Sequence, residues 1–235
     1  MSGVGVVAAL AAEARALGPS MPRGGAPIPL SELALLGGGA LLAVSGIGWT
    51  AAAGAARALI DAGASALMSF GVAGALDPAL EPGSVVLPRE VLSSDGRHHP
   101  TDATWRERVA VELRASHALS EGHLLTGDQA IDTPEKKAAA FHGTGAVAVD
   151  MESAAVAEVA AGHKLPYIAV RVIVDTAADR LPPAAVAASR EGRVKIARLV
   201  MGLAASPGEI PALLHIARSY RVAMRTLRAI APHLS

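Results

Sequence analysis

The chain has 235 residues, with 21 Lys+Arg balanced by 21 Asp+Glu, 51% apolar residues and no Cys. That apolar fraction excludes a disordered chain, and the lack of Cys excludes disulfides, thiolate chemistry, Cys-ligated zinc and iron–sulfur clusters. Neutral charge balance and only 2 Trp, 2 Tyr and 2 Phe argue against a nucleic-acid-binding surface, whether a basic footprint or a stacking platform.

The start has no basic region before its apolar stretch, and Glu13 interrupts it, so it does not read as a signal peptide. Val4–Ala9 is predicted to be a strand and Ala11–Leu17 the helix after it. Gly24-Gly25, with Pro22, Pro27 and Pro29 around it, marks a surface loop. The uncharged run between Glu32 and Arg57 is long enough to span a bilayer. Gly37-Gly38-Gly39 and Ser45-Gly46-Ile47-Gly48 divide it, however, into a strand, Ala40–Ser45, and a helix, Trp49–Ala62. Ala66–Gly71 and Ser84–Pro88 follow as strands. A helix is expected around Trp105–His117, with Thr104 and Glu107 spaced as a capping box. Thr133-Pro134-Glu135 pairs a cap with a first-turn Pro and opens another helix. Ala146–Val149 is a short strand, Met151–Gly162 a helix and Tyr167–Val174 a long buried strand. Two helical stretches, parted near Pro207-Gly208, close the chain.

Strands buried on both faces appear as continuous apolar runs, and their alternation with helices implies a mostly parallel sheet. The expected fold is a single α/β domain with a central mixed, mostly parallel sheet flanked by helices. Residues 1–206 form that domain and 207–235 a helical extension packed on it. The expected location is the cytoplasm.

Such sheets bind ligands beyond the carboxyl ends of their strands. Glu13, the Ser45–Gly48 turn, Gly71-Val72-Ala73-Gly74, Asp150-Met151-Glu152, Arg171 and Asp175 all fall there, gathering four carboxylates, one guanidinium and two Gly turns on one edge. Each has an ordinary structural reading as well. Glu13 and Glu152 suit a helix first turn, Asp150 an N-cap, and the glycines tight turns. Arg171 inside an apolar strand demands a partner.

At these residues the chain resembles the purine nucleoside phosphorylase/nucleosidase superfamily, particularly the methylthioadenosine/adenosylhomocysteine nucleosidases. The matching segments are V-G-V-V-A-A-L-A-A-E (4–13), S-G-I-G (45–48), F-G-V-A-G-A-L (70–76), P-G-S-V-V (82–86), T-G-D (126–128), A-V-D-M-E-S-A-A (148–155) and V-R-V-I-V-D (170–175). Within that superfamily, A-D-R-L-P-P-A-A-V (178–186) and P-G-E-I-P-A-L-L-H-I-A-R (207–218) look like the hopanoid-associated phosphorylases, which are thought to release adenine from adenosylhopane.

The resemblance implies an N-ribosyl-cleaving enzyme that acts on a 5′-substituted adenosine, with no cofactor beyond phosphate as a co-substrate if the reaction is phosphorolysis. Asp175 would protonate the purine, Met151 and Glu152 would bind the ribose, and Ala73, Gly74 and Ile131 would frame the base. Glu13 would activate water, while Arg15 and Arg171 match positions near water or phosphate, so hydrolysis and phosphorolysis both stand. The chain departs from the nucleosidase pattern at Val72 and Val174, where Ser is common, and at Ala130, where an aromatic stacks on the base. A methylthioadenosine nucleosidase, a general purine nucleoside phosphorylase and a non-catalytic nucleoside- or lipid-binding protein are the alternatives. A homodimer or larger homo-oligomer is expected by analogy.

Leu213, Ile216, Ala217, Tyr220, Met224 and Leu227 recur at helical spacing, and Arg218, Arg221, Arg225 and Arg228 line another face. Such a helix either docks on the domain with a solvated basic side or touches anionic lipid. The scattered histidines have no metal-ligand spacing. No G-x-G-x-x-G follows the first strand, which argues against a dinucleotide-binding dehydrogenase.

Overall fold

The computed structural model describes residues 3–18, 33–36, 39–183, 186 and 210–234. The predicted Gly24-Gly25 loop and the first of the two closing helices lie outside them. Among these residues, eleven strands form one mixed sheet. They are β1 (Val4–Ala8), β2 (Ala34–Leu35), β3 (Leu41–Val44), β4 (Ala66–Ala75), β5 (Val85–Val86), β6 (Glu90–Ser93), β7 (His98–Pro100), β8 (Leu119–Ser120), β9 (His123–Thr126), β10 (Ala146–Asp150) and β11 (Tyr167–Asp175). The helices are α1 (Ala11–Ala14), α2 (Trp49–Asp61), α3 (Ala103–Arg114), α4 (Pro134–Thr144), α5 (Ser153–Gly162) and α6 (Ile210–Ile230).

The ten-residue β4 is the hub. Its first half pairs in parallel with β1, from Val4 opposite Ala66 to Val7 opposite Ser69. Its far end turns to β10, antiparallel, with Val149 opposite Gly74. Along its other edge β11 runs parallel, with Arg171 opposite Gly71 and Asp175 opposite Gly74. β4 thus passes between the elements that carry the predicted site residues.

Two apolar layers cover the sheet. On one face the Ala-rich helices α2 and α5 pack together over Val7, Leu67, Ala169 and Ile173. Small side chains let these helices approach the strands closely, so a nearly ring-free sequence still fills its core. On the other face Trp105 and Leu113 of α3 join Met224, Leu227 and Ile230 of α6 against Met68, Ile168 and Val170. The C-terminal helix is therefore docked on the domain through its apolar side, and Arg218, Arg221, Arg225 and Arg228 are exposed.

Several predicted boundaries shift. Gly71 and Gly74 are strand residues within β4, not turn residues, and neither has positive φ. α3 begins at Ala103, and Asp102, not Thr104, caps it: its carboxylate accepts the Trp105 N–H at 2.7 Å. The expected cap on α4 forms, with Thr133 Oγ1 accepting the Lys136 N–H at 3.3 Å. α1 is a single turn that ends before Leu17.

Candidate active site

Glu13 sits in the first turn of α1, 3% exposed. Its Oε2 accepts the Leu10 N–H at 2.8 Å, and Oε1 accepts the Val72 N–H at 3.0 Å. The ordinary reading of a first-turn acid is therefore correct, and the same carboxylate also ties α1 to β4. A Cβ built on Gly71 would lie 2.6 Å from Glu13 Oε1 and 3.1 Å from Arg171 Nη1. Glycine is required there because both charged groups crowd the backbone. Burial raises the Glu13 pKa, while Arg171 and the N–H donors oppose the rise.

Arg171 finds its partner in Asp150. Nε donates to Asp150 Oδ2 at 2.8 Å, and Nη2 lies 2.7 Å from the same oxygen. Nη2 also donates to Ser69 Oγ at 2.7 Å. Asp150 in turn accepts from Thr126 Oγ1 at 2.7 Å and from the Ser153 N–H at 3.1 Å. One carboxylate thus both accepts the first N–H of α5 and serves as the counter-ion of β11. Ser153 Oγ donates to Ser69 Oγ at 3.2 Å, and the Tyr167 hydroxyl donates to the Ser153 carbonyl at 2.9 Å. A buried charge pair with this many hydrogen bonds meets the condition for offsetting desolvation.

Glu152 reaches the turn after β3. Its Oε1 accepts the Gly48 N–H at 2.9 Å, and Gly48 holds φ +100, which a side chain would strain. Burial raises the Glu152 pKa to about 7, Asp150 adds to the rise, and Arg171 opposes it. The folded chain therefore keeps this proton above pH 4.5, where the unfolded chain has lost it. Stability from this group is complete below that window and is lost as pH rises toward 7. Glu152→Gln should accordingly stabilise the fold at pH 8 by about 3 kcal/mol and do little at pH 5. Thermal melts of both proteins from pH 5 to 8 check this, and parallel curves would refute it.

Asp175 ends β11 and is 4% exposed. A buried lysine that sequence reasoning missed, Lys137 of α4, binds its Oδ2. Lys137 Nζ also donates to the Thr176 carbonyl at 2.6 Å. Burial raises the Asp175 pKa, and Lys137 opposes that rise. A Cβ on Gly74 would lie 3.1 Å from the Asp175 carboxyl, so Gly74 leaves open the space in front of it.

Glu13 and Arg171 thus flank Gly71, while Asp175 flanks Gly74. Three residues of strand separate the two points by roughly 10 Å, and Glu152 lies between β10 and α5, bound to the turn after β3. Met151 is half-buried next to Glu152. Ala73 lies in β4, and Ile131 packs partly buried beside Leu76 and Val149. Arg15 caps α1 and is exposed. Tyr220 of α6 was also missed as a neighbour of the site. Burial raises its pKa, Glu13 adds to the rise, and Arg15 and Arg228 oppose it. Among the described residues no three His, Asp or Glu side chains converge as a metal site.

A family model described as the phosphorylase superfamily matches residues 1–205. The 5′-methylthioadenosine/S-adenosylhomocysteine nucleosidase of Tolumonas auensis is 30% identical over 175 residues, covering 63% of this chain and 73% of that protein. The enzyme of the same name from Lysinibacillus sphaericus is 31% identical over 135 residues, covering 47% of this chain and 56% of its own length. The crystal structure of the nucleosidase of that name from Neisseria meningitidis, in complex with methylthio-immucillin-A, shares the fold. Its TM-score is 0.73 at 21% identity, covering 98% of this chain and 97% of that one. The futalosine hydrolase of Helicobacter pylori shares the fold too, with a TM-score of 0.70 at 18% identity and coverage of 97% of each chain.

Proposed function

The chain belongs to the phosphorylase superfamily, and on that premise we propose that it cleaves the N-glycosidic bond of a 5′-substituted adenosine by attack of water. In this reading Asp175 gives its proton to purine N7 as the bond to C1′ breaks and the electron pair moves to the base. Glu152 and Met151 hold the ribose, where negative charge favours the electron-poor sugar. Ala73, Gly74 and Ile131 frame the base. Glu13 takes a proton from water as its oxygen bonds to C1′. The Val72 N–H fixes Glu13 where related enzymes commonly have a Ser in place of Val72.

The observation that carries this reading is the burial of Glu13, Glu152 and Asp175, with Gly71 of β4 facing the first and Gly74 of β4 facing the last. It also supports water over phosphate. Arg171 is already held by Asp150, and Arg15 is exposed. A phosphate dianion near Glu13 would meet a buried carboxylate and a cation already engaged by Asp150, an unfavourable balance.

The finer reading of the substrate is an adenosine whose 5′ substituent is a lipid, as in adenosylhopane. Supporting it, Arg218, Arg221, Arg225 and Arg228 form an exposed basic face of α6. Such a face suits peripheral contact with anionic lipid; among the described residues no helix is long and apolar enough to cross a membrane. Methylthioadenosine or adenosylhomocysteine is the second reading, favoured by the names of the relatives.

One experiment separates these readings. The protein is incubated with methylthioadenosine, with adenosylhomocysteine and with an adenosyl-lipid in anionic vesicles, each with and without phosphate. The expected products are adenine and a sugar with a free 1-hydroxyl, formed without phosphate and fastest from the lipid. A sugar 1-phosphate formed only with phosphate would overturn the water reading. Faster turnover of the two small nucleosides would overturn the lipid reading, and no adenine from any substrate would overturn the enzymatic one.

A further inference from the structure

The resemblance accounts for Asp175 but not for Lys137, which is fully buried and whose ammonium has no solvent contact. Lysine is almost never buried to this degree unless paired. Lys137 lies on α4, and its partners are the Asp175 carboxylate, which ends β11, and the Thr176 carbonyl just after it. It meets Asp175 at Oδ2, while the carboxyl group faces the backbone of Gly74 across the space that glycine leaves free. One oxygen is thereby occupied by a cation, and the other, Oδ1, has no hydrogen bond among the described residues.

We propose that Lys137 is a positioning residue for the general acid: it holds Asp175 Oδ2 so that the transferable proton sits on Oδ1, and it stabilises the carboxylate that remains after transfer. This rests on the reading of Asp175 as the acid. During the step the proton passes from Oδ1 to purine N7, and the charge left on the carboxylate faces the Lys137 ammonium in a site closed to water. A fixed cation beside a charge that develops in the transition state lowers the barrier, because it needs no reorganisation at that moment. The same cation makes Asp175 more acidic in the free enzyme, so full protonation requires lower pH.

Other charged groups face this pair. Asp179, in the turn after β11, raises the Asp175 pKa. It accepts the Thr176 N–H at 2.8 Å, and His215 of α6 lies 3.0 Å from its other oxygen. Lys136, next along α4, is turned outward onto Asp132. Lys137 is therefore the only cation among the described residues bound to the Asp175 carboxyl.

The test compares wild type, Lys137→Met and Lys137→Gln in adenine release from methylthioadenosine across pH 5 to 9, with Asp175→Asn as the reference. Methionine conserves length and leaves a carboxyl that can stay protonated without its partner. Glutamine keeps a donor without charge and serves if methionine impairs folding. The expected result is a fall in kcat of about 10-fold to 100-fold, with KM little changed. The alkaline limb of kcat/KM should also move to higher pH by about one unit, because a cation that favoured ionisation is gone. A lysine that only supported the fold would leave that limb in place. If Asp175→Asn is inactive and the limb does not move in either Lys137 variant, the inference fails while the reading of Asp175 stands. If Asp175→Asn retains full activity, that reading falls and the inference with it.

Discussion

Asp175→Asn is expected to lower the rate of adenine release at neutral pH by roughly 10²–10⁴-fold, the usual cost of losing a positioned general acid. Asparagine has nearly the same shape and still accepts from Lys137, but it has no proton to give to the departing base. The effect should fall on kcat, because the proton moves only as the bond breaks. The wild-type rate should decline as pH rises through the Asp175 pKa, which burial holds above the usual carboxylate range. Steady-state kinetics with retained binding of methylthioadenosine, measured by calorimetry, distinguishes chemistry from misfolding. A variant that binds and turns over like wild type would remove Asp175 from the mechanism.

The second large effect is on stability. Arg171→Met should cost about 3–5 kcal/mol, because Asp150 would be left charged and buried without its counter-ion. For a chain of this length that corresponds to a fall in Tm of roughly 6–20 °C. Adding Asp150→Asn should recover part of the loss, since the orphaned charge disappears while the donors on Thr126 and Ser153 keep an acceptor. Denaturant melts of the wild type, both single variants and the double variant form the cycle. A single-variant loss below about 1 kcal/mol, typical of a solvent-exposed pair, would show that the charge is not desolvated as its burial implies.

The strands that build the core were legible because parallel strands covered on both faces must be apolar throughout, as in β1, β4 and β11. The burial of Glu13, Glu152 and Asp175 was legible for a related reason: a charge close to the end of such a run has few places to go. The outer strands were not. β6, β7, β8 and β9 are two to four residues long, and β7 reads His98-His99-Pro100, which has neither periodicity nor β-propensity. Their pairing with the rest of the sheet, not local preference, makes them strands. Lys137 was hidden because Lys136 precedes it, and only the phase of α4 decides which of the two turns inward. Asp150 reads as an N-cap, and its pairing with Arg171 from a strand 21 residues later was not legible; its carboxylate accepts both the Ser153 N–H and the Arg171 guanidinium.

The central place of β4 has a consequence for how the molecule fails. Glu13 lies in α1 after β1, Glu152 lies just before α5 after β10, and Asp175 ends β11, and β4 borders β1, β10 and β11 at once. Partial unravelling at that strand would scatter all three carboxylates together. Turnover should therefore vanish in step with cooperative denaturation, making catalytic assay a direct gauge of the intact tertiary structure.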